Sequence, residues 1–99
     1  MISPVQASTS NPMQKLFAEW PVSIPRKGIV VTVHGETVQF VEFMITGELL
    51  LLERQTPDVA GARRVILDFN NIASTKILDA VEMSRFTAFG FRGSVGVRS

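Results

Sequence analysis

The alternation of apolar and polar positions between residues 28 and 53 predicts three consecutive β-strands. β-Branched and aromatic residues fill three runs, at residues 29–33, 37–45 and 49–54. Two short turns, at residues 34–35 and 46–48, separate these runs, and each turn carries a glycine where we expect a positive φ. Strands joined by such short turns pair as an antiparallel meander.

The apolar positions change phase within the second of these strands. Val38 and Phe40, at even-numbered positions, alternate with polar neighbours. Farther along, the apolar residues Phe43 and Ile45 are at odd-numbered positions, and the even-numbered position 42 is the polar Glu42. Because side chains alternate between the two faces of a strand, this change predicts a bulge or a sharp bend just after Phe40. A bend of this kind allows a short sheet to curl into a barrel.

The third strand contains a run of four leucines, residues 49–52, and is therefore apolar on both faces. One face suits the core of the domain. The other face needs a second cover, which we expect to be a helix or a neighbouring subunit.

A short helix is predicted before the strands. Asn11 suits the N-cap position and Pro12 the first helical position, and Pro21 limits the helix to about Trp20. Phe17 and Trp20 fall on one face of this helix. A helix of two to three turns is too short to be stable alone, so we expect it to dock on the sheet. Trp20 is then a core or lid residue rather than a platform on which a base stacks.

The second half of the chain predicts two more strands. A polar loop at residues 55–62 leads to a strand at 63–69, a tight Asn-Asn turn and a strand at 72–78. The predicted fold is mainly β, a short N-terminal helix followed by a five-stranded, strongly bent antiparallel SH3-like barrel. Residues 1–10 are predicted to be a flexible arm and residues 11–78 the domain. Residues 79–99 are predicted to be a C-terminal extension with a short helix and a flexible basic tail.

Composition favours association between copies of the chain. Of its 99 residues only 19% are charged while 45% are apolar, so a lone small barrel would expose apolar surface. We therefore predict a homo-oligomer. The net charge of +1 gives no general attraction to nucleic acid, and no apolar run is long enough to span a membrane. The absence of cysteine favours a reducing compartment, and we expect a cytoplasmic protein.

The sequence contains no recognisable catalytic or metal-binding motif. Its one histidine, His34, lies in a predicted turn, and with no cysteine a zinc site is not expected. No serine lies in a nucleophile elbow, and the glycines lie in turns rather than in a phosphate-binding loop. We predict a protein that is not an enzyme and needs no cofactor or metal.

Three segments resemble the Sm-like family, which includes bacterial Hfq, and the resemblance spans roughly residues 13–78. Residues 33–35, VHG, stand where the family has its first hairpin. Residues 44–53, MITGELLLLE, are similar to its second turn and the aliphatic run that ends in a charge. Residues 65–72, VILDFNNI, resemble the second Sm motif, an aliphatic strand and a turn that ends in Asn and Ile.

The resemblance implies a ring that binds single-stranded RNA, and the first hypothesis is that RNA binds through turns at the pore or through the basic C-terminal tail. The resemblance implies that the RNA-binding positions of this sequence are Thr46, Gly47, Glu48, Asn70 and Asn71. In this family the fourth strand of one subunit pairs with the fifth strand of the next, which removes both open edges. We expect a ring of five to seven subunits. The interface positions are Val65, Leu67, Ile72 and Ser74.

Several positions depart from the family pattern. Thr46 replaces an acidic residue, Glu48 replaces the aromatic or histidine that stacks on a base, and Leu50 replaces the asparagine that reads it. Asp68 and Phe69 replace Arg-Gly. Because RNA binding needs π-faces and cations, a second hypothesis is a ring that serves as a scaffold or protein-interaction module. A third is another small barrel such as an OB-fold, although the loop at residues 55–62 is too short for the helix that fold usually inserts there.

Overall fold

The structure is a computed structural model that describes residues 11–93, so the predicted arm at residues 1–10 and the last part of the predicted tail, residues 94–99, lie outside the described residues. The helix α1 is followed by six strands and two 3-10 helices. Their bounds are α1 Pro12–Ala18, β1 Gly28–Thr32, β2 Thr37–Phe40, β3 Glu42–Ile45, β4 Leu49–Glu53, β5 Arg64–Asp68, a first 3-10 helix Phe69–Asn71, β6 Ile72–Lys76 and a second 3-10 helix Met83–Phe89.

Helix α1 begins as predicted. Asn11 is its N-cap, and its Oδ1 accepts hydrogen bonds from the backbone N–H groups of Met13 at 2.9 Å and Gln14 at 3.0 Å. The helix ends at Ala18, so Trp20 lies just beyond it rather than in it. The Trp20 indole is buried and donates from Nε1 to the carbonyl of Ile24 at 3.0 Å, which confirms a core position for this residue.

The predicted bend lies at Val41 and divides the second predicted strand in two. β2 pairs with β1 up to Phe40, whereas β3 pairs with β4 from Glu42. Between them the backbone N–H of Val41 donates to the carbonyl of Glu53 at 2.8 Å. The phase change is confirmed, since Phe40 and Phe43 are both buried, but residues 11–93 form six strands rather than five.

The six strands form two antiparallel three-stranded sheets, ordered β2-β1-β6 and β3-β4-β5. The prediction of a mainly β fold with a short N-terminal helix is confirmed. The five-stranded barrel is not confirmed, because no closed barrel is seen in residues 11–93. The physical reason is the pairing of the last two strands: β5 and β6 lie at the edges of different sheets and are joined by the first 3-10 helix, with no ladder between them.

A cluster of aromatic side chains fills the space between α1 and the sheets. The Phe17 ring is central to it, with its centroid 4.8 Å from that of Phe43 and 5.2 Å from that of Trp20. The ring centroids of Phe40 and Phe69 lie farther from that of Phe17, at 6.0 and 6.1 Å. The predicted docking of α1 on the sheets is therefore confirmed, and contacts between aromatic rings hold the helix there.

The C-terminal extension packs against this cluster. Phe86 and Phe89 of the second 3-10 helix are half-buried against the core, and the Phe89 ring meets Trp20 edge-on at 5.4 Å. Gly90 ends the helix with a φ of 103°. Residues 83–89 thus form part of the same packed unit as α1.

Strand β4 is buried on one face only. Leu50 and Leu52 are 0% exposed, whereas Leu51 is half-buried and Leu49 is 42% exposed. No helix in the described part of the chain covers the outer face. The leucine run predicts that a helix or a neighbouring subunit covers this outer face, and residues 11–93 do not supply that cover.

Candidate nucleic-acid interface

Three connections meet at one end of the two sheets, and we refer to them together as the loop cluster. They are the β1–β2 turn at residues 33–36, the β3–β4 turn at residues 46–48 and the first 3-10 helix with its N-cap Asp68, residues 68–71. The N–H of Val33 donates to the carbonyl of Asn71 at 2.8 Å, and the N–H of Phe69 donates to the carbonyl of Glu48 at 3.1 Å. The predicted RNA-binding residues of both motifs are therefore brought together.

The β3–β4 turn is held by a hydroxyl group. Thr46 Oγ1 accepts from the N–H of Glu48 at 3.1 Å and from that of Leu49 at 2.9 Å. Gly47 does not adopt a positive φ, so the expectation for this glycine is wrong, while Gly35 in the first turn does, at 90°. The Thr46 hydroxyl accepts backbone hydrogen bonds of the kind that a short carboxylate also accepts.

The two asparagines lie in the first 3-10 helix. The carboxylate of Asp68 caps this helix by accepting from the N–H of Asn70 at 2.8 Å. Asn70 is exposed, and its Oδ1 accepts from the side-chain Nδ2 of Asn11 at 2.8 Å, while Asn71 is half-buried. Asn11 therefore belongs to the site as well as capping α1. Sequence reasoning missed this second role, because the two asparagines are 59 positions apart and no local pattern links them.

The charge of the loop cluster is negative. Glu36, Glu48 and Asp68 are all exposed, and residues 33–36, 46–48 and 68–71 contain no Lys or Arg. The one titratable base is His34, which is exposed in its turn as predicted. Amides and hydroxyls here can hydrogen-bond to the edges of bases, but the Phe69 ring is buried, the imidazole of His34 is the one exposed ring in these segments, and no Lys or Arg is present for phosphate.

The basic pair before β1 is engaged with carboxylates. Arg26 donates to the carboxylate of Glu42 and, from Nη2, to the carbonyl of Phe43 at 2.6 Å, and its guanidinium lies 3.8 Å from the Phe43 ring centroid. Lys27 Nζ lies 3.7 Å from Asp79 Oδ1. The Arg26 hydrogen bond, with a second from the N–H of Phe43, lowers the pKa of Glu42. These contacts anchor the connector rather than present a phosphate site.

The four predicted interface residues lie on or beside the core side of the sheets. Val65 and Leu67 are half-buried and pack against the core, Ile72 is 7% exposed and belongs to the core, and Ser74 is half-buried on β6. The side chains that β5 exposes are those of Arg64, Ile66 and Asp68. A subunit interface through β5 and β6 would therefore use backbone edges more than these four side chains, and it stays a prediction.

Comparison with known proteins identifies no relative of this chain. Known protein families, curated protein sequences and solved structures give no match to this chain. Among residues 11–93, no group of three His, Asp or Glu side chains lies close enough to hold a metal ion. Nor does any helix in these residues have the length and apolar character needed to cross a membrane.

Proposed function

We propose that the chain is a ring-forming Sm-like protein that binds single-stranded RNA without catalysis. Three features of the fold support it. One strand bends at Val41 and pairs with different neighbours on either side of the bend, a tight 3-10 turn separates the two edge strands β5 and β6, and a short helix docks at the start. The bend and the docked helix lie outside the three sequence segments that resemble the family, and they support the proposal in addition to those segments.

The main observation in support of RNA binding is that the three connections of the loop cluster lie next to one another. Asn70, Asn71 and the turn of Thr46 lie within a network of hydrogen bonds that joins the three connections. In a ring, each subunit would present one such cluster to the same central opening. Repeated amides at a fixed spacing suit successive unstacked bases of a single strand.

Ring closure would pair the free edge of β5 with that of β6 from the next copy. Edge strands with unpaired N–H and C=O groups favour such pairing, and closure of the ring would leave neither the β5 edge nor the β6 edge open. Light scattering after gel filtration should give a mass five to seven times the 10.9 kDa of one chain. A mass of one chain at all concentrations tested would overturn the ring.

RNA binding is tested by fluorescence anisotropy with U-rich and A-rich RNA at two salt concentrations. We expect saturable binding that Asn70→Ala weakens about tenfold, the size of effect that one lost base-directed contact produces. Gln39→Ala removes a similarly exposed amide from β2 and is the matched control, which should bind as the parent protein does. No binding, or the same affinity in both variants, would overturn the RNA site.

A second candidate function is a ring that acts as a scaffold for other proteins. The observation that favours it is the acidic loop cluster, where Glu36, Glu48 and Asp68 repel phosphate. The mass measurement and the RNA titration separate the two functions. A ring that does not bind RNA supports the scaffold, whereas binding that is lost in Asn70→Ala excludes it.

A further inference from the structure

The outer face of the second sheet carries an exposed apolar row. Met44, Leu51 and Ile66 are direct cross-strand neighbours on β3, β4 and β5, and we refer to them as the outer stripe. Met44 is 67% exposed and Ile66 63% exposed, with Leu51 half-buried between them. A shallow groove of about 160 Å³ runs beside the stripe and contacts Met44 and Leu51.

Carboxylates flank the outer stripe on both sides. On one side Glu42 and Glu53 face each other across β3 and β4, and each has an arginine partner, Arg26 and Arg64 respectively. On the other side lie Asp68 on β5 and Glu48 in the adjoining turn, which have no ion-pair partner among residues 11–93. The strands of this face carry three carboxylates, Glu42, Glu53 and Asp68, against the guanidinium groups of Arg26 and Arg64, and the adjoining turn adds Glu48, so this end of the face is acidic.

The dimensions of the stripe suit a helix that lies across the strands. Neighbouring strands are about 4.8 Å apart, so the three side chains span about 10 Å perpendicular to the strands. One turn of an α-helix rises about 5.4 Å, so residues at i, i+4 and i+7 of such a helix would meet successive strands. A strand added along β5 would run in the other direction and leave most of the stripe uncovered.

We propose that the outer stripe is the docking site for a cationic amphipathic helix of a partner protein. The apolar side of the helix packs on Met44, Leu51 and Ile66, and its Lys or Arg side chains meet Glu48 and Asp68. The whole chain has a net charge of +1. A preference for a cationic partner must therefore come from the local charge of this face and not from the overall charge. This site does not depend on RNA binding.

The test uses two synthetic peptides of about 18 residues that share one leucine stripe at helical spacing. One carries Lys on its polar face and the other carries Glu. Calorimetric titration against the 99-residue chain should show saturable binding of the Lys peptide, at least about tenfold tighter than the Glu peptide and weaker at higher salt. Equal affinity for the two peptides, or no saturation with the Lys peptide, would overturn the proposal.

Three variants locate the binding. Ile66→Gln should weaken binding of the Lys peptide about tenfold, and Asp68→Asn should weaken it severalfold and reduce its salt dependence while keeping an oxygen that can cap Asn70. Val22→Gln is the control, since Val22 is fully exposed on the connector before β1, and it should change nothing. Unchanged binding in Ile66→Gln would overturn the site. Self-association that Met44→Gln disrupts would show that a second copy covers the stripe, because Met44 lies on β3, two strands from the β5 edge, and this result also overturns the proposal.

Discussion

The contact between α1 and the sheets can be tested at Phe17. Phe17→Ala removes a ring that is 2% exposed and lies within 6.1 Å, centroid to centroid, of four other aromatic rings. Phenylalanine-to-alanine changes in cores cost about 3–5 kcal/mol, because transfer energy is lost and a cavity remains. A domain of this size has about 5–15 kcal/mol of stability in all. We therefore expect the variant to lose a large fraction of its free energy of unfolding.

Urea unfolding followed by far-UV circular dichroism measures this loss. This signal reports backbone structure and so does not depend on Trp20, which lies in the same cluster. All variants are compared at one protein concentration, because association of copies would add to the apparent stability. Phe17→Leu keeps most of the apolar volume and should cost only about 1–2 kcal/mol.

Lys15→Ala is the matched control on the same helix. Lys15 is exposed, and alanine is at least as good a helix former, so its free energy of unfolding should change by less than about 0.5 kcal/mol. If Phe17→Ala costs less than about 1 kcal/mol, and so resembles Lys15→Ala, the docked position of α1 is refuted.

Three further predictions concern single contacts. In Gly28→Ala the new Cβ would lie 2.2 Å from the carbonyl oxygen of Lys76, so β1 and β6 must move apart. We expect the free energy of unfolding to fall by about 1–3 kcal/mol. An unchanged melting temperature would contradict this close approach. Asn11→Ala removes the N-cap and should cost about 1 kcal/mol by urea unfolding, whereas Asn11→Asp should restore most of it. The hydrogen bond from Arg26 lowers the pKa of Glu42 from about 4.5. The pair therefore stabilises the folded state above that pH, and this stabilisation is lost as the pH falls through the lower pKa of Glu42 in the folded state. Stability should therefore fall less between pH 5 and about 3 in Arg26→Ala, and equal slopes would contradict the pairing.

Local patterns in the sequence predicted most of the secondary structure. The observed strands begin and end within one or two residues of the predictions, because period-2 alternation is a property of neighbouring residues. The bend at Val41 was also predictable, since a strand cannot keep both Phe40 and Phe43 on one face without one. The N-cap of α1 followed from Asn11 and Pro12 alone.

The candidate site could be predicted only in part. Thr46 and Asn70 were named from the family resemblance, and the structure brings their segments together through the Phe69 to Glu48 hydrogen bond. The contact between Asn11 and Asn70 was not predictable, because it depends on where α1 docks. The role of Thr46 as the acceptor that shapes its turn was also missed, since the turn glycine offered a simpler local explanation.

The sequence by itself determined where the strands, the turns and the bend lie, because these depend on residues that are close along the chain. Only the tertiary structure decided how the strands are shared between sheets, and so left β5 and β6 as separate edges. It also decided that Met44, Leu51 and Ile66 form one exposed row, although the leucine run had predicted cover on both faces. The physical reason is that strand pairing and burial depend on contacts between distant segments, and periodicity within a segment does not specify which partner covers it.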